Sequence, residues 1–175
     1  KLYLDLGVDP EKMLLVDSRG VLWEGREGGI TAEKEAFVRK TDRRDLADAM
    51  KNADAFVGVS MGGLLSKEMV AGMALNPISF AMANPDPEIL PSEVLEVRSD
   101  AVMATGRSDF ANQVNNVLGF PFIFRGALDV DATAINETMK MAAVRALAEL
   151  ARSGEEDLPQ AVRVAYPGED FHFGP

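Results

Sequence analysis

The chain contains no cysteine and only one histidine, His172. Without cysteine there are no disulfides, no thiolate nucleophiles and no cysteine metal sites. That absence fits a cytoplasmic setting. With one histidine, neither a histidine-based triad nor a multi-histidine metal site can form within this chain. His172 sits between Phe171 and Phe173 and reads as a packing or surface residue. Basic residues are scarce too: 18 Lys and Arg stand against 28 Asp and Glu, for a net charge of −10. Phosphate backbones are gripped by Lys and Arg, so this balance speaks against nucleic acid. An acidic surface serves solubility instead. No apolar run is long enough to span a bilayer, and the residues KLYLDLGVDPEK do not read as a secretory signal.

What is present suits one domain. A chain of 175 residues is enough for a single sizeable core. Apolar runs alternate with segments of helical period, the pattern of an α/β fold with a mostly parallel sheet. Lys1–Gly7 reads as the end of a helix. Met13–Asp17 reads as a buried parallel strand with a carboxylate at its end. Helical segments are expected over 31–40, 43–51, 66–73, from Pro91, and over 134–152. Strands are expected over 53–59, 77–83 and 101–104. The 134–152 segment carries methionines that read as core filler. There is no internal repeat and no low-complexity segment.

Ligands of such sheets bind along the carboxyl edge of the strands, and three places there carry suitable chemistry. Asp17 can accept hydrogen bonds from the ribose hydroxyls of a dinucleotide; as a strand-end acid it can equally open a turn. Ser60-Met61-Gly62-Gly63 closes the 53–59 strand with glycines that let backbone approach a ligand. Asn84-Pro85-Asp86-Pro87 closes the next strand, and its two prolines force an extended exit that holds Asn84 at the edge. The densest polar stretch is 101–126, AVMATGRSDFANQVNNVLGFPFIFRG, with Arg107, Ser108, Asp109, Asn112, Gln113, Asn115 and Asn116 set against an aromatic run. Amides that are buried must find partners or cost a few kcal/mol. They either serve one another or await a ligand. Asp86, Glu88 and Asp109 can be imagined as a metal cluster, but nothing in their spacing demands one.

Five blocks, LLVDSRGVL, GVSMGGLLSKEM, FAMANPDPEI, ATGRSDFANQVNNVLGFPFIFRGALDV and INETMKMAAVRALAELA, give the chain its resemblance to a known family. It resembles the malic enzymes, specifically the nicotinamide-dinucleotide domain of the bacterial and archaeal type, from about Leu2 to Pro175. The resemblance implies a doubly wound, Rossmann-type sheet with helices on both faces. It also implies that residues 1–175 are a part of that domain cut at both ends, without its first strand and glycine-rich loop. Such a sheet would leave an edge and apolar surface exposed.

The implied activity is the oxidative decarboxylation of L-malate to pyruvate with NAD or NADP and Mg²⁺ or Mn²⁺. In that reading Asn84, Asn115 and Asn116 contact malate. Asp17, Ser18 and Arg19 line the adenosine ribose; Ser60 and Asn84 also face the cofactor. The acid–base pair and the metal ligands are expected elsewhere, so no catalytic or metal residue is assigned, and neither Tyr3 nor Tyr166 is promoted. This piece alone is expected to be inactive. NAD and NADP stay open, since Asp17 favours a free 2′-hydroxyl whereas Arg19 and Lys34 can pair with a 2′-phosphate. A homo-oligomer is implied. The competing readings are a nucleotide-binding or oligomerisation module without chemistry, which needs no paired amides, and an amino-acid dehydrogenase cofactor domain, which the NNVLGFPFIFRG block opposes.

Overall fold

A computed structural model describes residues 1–153; Tyr166 and His172 lie outside them. Its centre is a three-stranded parallel sheet of β3 (Ala55–Gly58), β4 (Ile78–Ala81) and β5 (Val102–Thr105), in the order β3-β4-β5. Register aligns Phe56 with Ser79 and Met103, and Gly58 with Ala81 and Thr105. Because side chains alternate across a strand, these residues share one face. All are buried or half-buried. The other face presents Val57, Ile78 and Val102, each about two-fifths exposed at 41%, 40% and 37%.

The buried face is covered by the helices of the two crossovers, α4 (Lys67–Ala71) and α5 (Pro91–Val97). Helix α3 (Leu46–Met50) adds Met50. Met50, Leu65, Val70, Met73, Ala81, Ile89, Val94 and Met103 form the core cluster. Full burial of a side chain such as Val70 or Val94 contributes roughly 1.5–3 kcal/mol. Helix starts follow local chemistry. Ser66 caps α4 by accepting the Met69 N–H at 3.3 Å, and Asp45 caps α3 by accepting the Asp48 N–H at 2.8 Å. Pro91 occupies the first turn of α5, where its missing N–H costs nothing. This parallel α/β arrangement is Rossmann-type.

One strand differs from the expectation. Met13–Asp17 does not join the parallel sheet. Only Val16–Asp17 (β1) is a strand, and it pairs antiparallel with β2 (Gly20–Val21), Asp17 opposite Gly20. Ser18 and Arg19 form the tight turn, and Gly20 supplies φ +101°. A side chain there would also collide with the Arg44 carbonyl, 2.2 Å from an ideal Cβ. The apolar residues that this region buries are Val21 and Leu22, both fully.

The remaining helices are α1 (Leu2–Asp5), α2 (Ala32–Glu35), α6 (Phe120–Asp129) and α7 (Glu137–Arg152). Helix α2 is one turn long, well short of the 31–40 expectation. Asn136 caps α7 by accepting the Met139 N–H at 3.0 Å. None of its residues is fully buried, so its methionines flank the core rather than fill it. Among the described residues, no helix is long and apolar enough to cross a membrane.

Candidate dinucleotide and substrate site

The carboxyl ends of β3, β4 and β5 each open into a loop, and these loops are tied together. Gly63 N–H donates to the Pro87 carbonyl at 3.1 Å, and Leu65 N–H to the Glu88 carbonyl at 2.9 Å. Gly62 comes so close to Asp86 that a Cβ would stand 2.8 Å from the Asp86 Cβ. That contact requires the glycine. Arg107, after β5, reaches back to Asp86 at 3.6 Å, chelates Asp109 at 2.6 Å and lies 5.1 Å over the Phe110 ring. Three successive strand ends therefore make one interlocked rim.

Ser60 and Asn84 are both exposed on this rim. The Asn84–Pro85 peptide is cis. Asn115 and Asn116 follow directly on a segment tied to the carboxyl end of β5. Thr105 bridges to Gln113, and Val114 N–H donates to the Thr105 carbonyl at 2.7 Å. Asn112, at φ +55°, anchors the turn by donating from Nδ2 to the Met103 carbonyl at 3.0 Å. Asn115 then caps a 3₁₀ turn, Asn116–Leu118, by accepting the Val117 N–H at 3.1 Å through its side-chain oxygen. Of the amides in the 101–126 stretch, Asn112 serves the fold. Asn115 is part committed, and Asn116 is exposed.

Asp17 belongs to a different structure, the β1–β2 hairpin. Its Oδ1 accepts from Arg26 at 2.7 Å and from the Arg19 N–H at 2.9 Å; its Oδ2 accepts from Lys34 at 2.7 Å. Burial alone would push this carboxyl up. The bonds from Lys34, the Arg19 amide and Arg26 outweigh that and hold it down at about 2. The Arg19 side chain lies over Gly28 and Gly29, so two cations, Arg26 and Lys34, pair with this carboxylate. An ionised carboxyl accepts about four hydrogen bonds. The three present leave Oδ2 able to accept one more, beside Lys34. A ribose hydroxyl can donate there and Lys34 can meet a phosphate, so these residues fit a dinucleotide.

Arg26, which sequence reasoning passed over, and Glu88, which it weighed only as part of an imaginable metal cluster, complete the picture. Arg26 is nearly buried and braces the hairpin, donating also to the Gly20 and Val21 carbonyls at 3.1 Å each. Glu88 is fully buried between the ends of β3 and β4. Its signal was faint: Gly58 closing a strand, paired with an acid inside a proline-framed loop. Asp86, Glu88 and Asp109 do not form a cluster. Glu88 is turned inward onto backbone amides, whereas Asp86 and Asp109 share Arg107. No set of three or more His, Cys, Asp or Glu among the described residues could hold a metal ion.

The family model for the NAD-binding domain of malic enzyme matches residues 9–165. The chain belongs to that family. It is 55% identical over 170 residues to the NADP-dependent malic enzyme of Rhizobium meliloti, covering 97% of this chain and 22% of that protein. To the NAD-dependent malic enzyme of the same organism it is 49% identical over 174 residues, covering 99% and 22%. Among solved structures, the malic enzyme of Entamoeba histolytica superposes with a TM-score of 0.76 at 35% identity, covering 99% of this chain and 35% of that one. The chain thus spans about a fifth of the length of each of these two Rhizobium meliloti enzymes. Among the described residues, the hairpin around Asp17 and the interlocked rim at 60–63, 83–88 and 105–116 are the candidate sites.

Proposed function

We propose that this chain is the dinucleotide-holding part of a malic enzyme that converts L-malate to pyruvate and CO₂ with NAD or NADP. The observation that carries the reading is the convergence of Ser60, Asn84, Asn115 and Asn116 on one sheet edge, beside loops fixed by Gly62 and Arg107. In the reaction, malate loses hydride from C2 and a proton from its hydroxyl to give oxaloacetate. Oxaloacetate then loses CO₂, and its enolate gains a proton to give pyruvate. The bound dinucleotide supplies the hydride acceptor.

The residues of this chain bind and orient. Asp17 takes the adenosine ribose, with Ser18 and Arg19 beside it in the turn, and Ser60 lines the cofactor. Asn84, Asn115 and Asn116 are neutral donors and acceptors that hold malate without adding a titrating group. In this reading the acid–base pair and the ligands of Mg²⁺ or Mn²⁺ come from the rest of a longer protein, which works in the cytoplasm as a homo-oligomer. The test is malate-dependent reduction of NAD and NADP by the full-length protein, with Mg²⁺ or Mn²⁺ added. Reduction of either dinucleotide supports the reading. Dinucleotide binding with no malate-driven reduction would favour the non-catalytic module.

A further inference from the structure

Glu88 is the one fully buried acid among the described residues, and it has no ion-pair partner there. Its Oε1 accepts the Ser60 N–H at 3.0 Å, and its Oε2 accepts the Ala83 N–H at 3.0 Å. Ser60 follows β3; Ala83 immediately precedes Asn84 at the end of β4. The carboxyl fills the space above Gly58, where an ideal Cβ would lie 2.3 Å from Oε1. Burying a carboxyl group is costly unless its oxygens are satisfied. An apolar side chain would fill the same volume more cheaply, but would leave two strand-end N–H groups unpaired. What Glu88 provides beyond packing is a fixed separation between two loops.

We propose that Glu88 is a positioning residue that sets the Ser60 loop against Asn84, and so sets the bound dinucleotide against malate. It touches neither ligand. The inference rests on the functional reading given above. Small misplacement of reacting groups is expensive for rate even where binding survives, so the consequence falls on hydride transfer.

The experiment is Glu88→Gln in the full-length protein. The amide keeps the size but turns one acceptor into a donor that faces an N–H. Turnover is expected to fall about tenfold or more, with the KM values for malate and dinucleotide changed much less. The primary isotope effect with malate deuterated at C2 is expected to rise, as hydride transfer becomes more limiting. Val94→Ala, a buried substitution in α5 rather than in either loop, is the stability control; it should lower the melting temperature and leave the isotope effect unchanged. If Glu88→Gln does not fold, Glu88→Asp, one methylene short, carries the same comparison. A folded variant with wild-type turnover and isotope effect overturns the proposal. So does a Val94→Ala variant that reproduces the Glu88 pattern. A wild-type protein that reduces neither dinucleotide with malate instead rejects the functional reading on which the proposal stands.

Discussion

Arg26 and Asp17 meet through a 2.7 Å bond in which the arginine side chain is only 6% exposed. The same guanidinium holds the Gly20 and Val21 carbonyls, so one residue fixes both the turn and its acid. Asp17 is held at about 2 against an ordinary 3.8. A carboxyl depressed in the folded state contributes its full stability above pH 3.8 and loses it as pH falls towards 2. The contribution is on the order of 2 kcal/mol. Melting temperatures of wild-type protein and Asp17→Asn should therefore differ at pH 5 and converge near pH 2. A constant gap across that range would remove the ion-pair account of this hairpin.

Lys34 holds the other oxygen of Asp17 and is one-third exposed, hence within reach of a ligand at the surface. A 2′-phosphate offers it a stronger partner than a hydroxyl, because charge-assisted bonds are roughly twice as strong as neutral ones. Lys34→Ala should weaken NADP binding about tenfold more than NAD binding. Titration of both dinucleotides into the full-length variant reads this directly, and equal losses would assign Lys34 to the hairpin alone.

Gly58 faces Glu88 with no room for a methyl group. Gly58→Ala should cost about 1–3 kcal/mol by overpacking, at the upper end here because the collision is with a buried polar group. Thermal and denaturant unfolding of the full-length protein measure it. A variant as stable as wild type would mean the β3 end yields easily, and that Glu88 holds nothing rigid.

The strands of the sheet were legible because 53–59 and 77–83 are short apolar runs bounded by turn residues. Asn84 was legible for the same reason, since two prolines mark where β4 must stop. Ser66 announced α4 as an N-cap. Met13–Asp17 misled because an apolar run before an acid looks alike in a parallel strand and a hairpin; the deciding feature was Ser18-Arg19-Gly20, a turn signal only two residues wide. Helix α6 was hidden in FPFIF, where Pro121 reads as a breaker although it sits harmlessly in the first turn. The roles of Glu88 and Arg26 were hardly legible, because charged side chains in glycine- and proline-rich loops are ordinarily solvated and only packing shows otherwise.

Asn116 stands exposed at the start of its 3₁₀ turn, while neighbouring Asn115 spends its oxygen on the cap. Asn116→Ala should raise the malate KM or cut turnover by about tenfold, with dinucleotide binding nearly intact. Asn115→Ala should do both that and loosen the turn. Steady-state kinetics beside direct cofactor titration separate the two. Unchanged kinetics for Asn116→Ala would sink the substrate assignment.

The parallel register has a consequence for how this site comes into being. Ala55 pairs with Ile78, and Ile78 with Val102, so neither strand pair of the three-stranded sheet can close as a local hairpin. Each must wait for a helix to form and fold back, which makes such topologies slow. The rim loops exist only once all three strands are aligned. Their amides should then exchange with solvent at the pace of the core strands, and partial opening that loses β4 loses Ser60, Asn84 and the turn at Asn115 in one event.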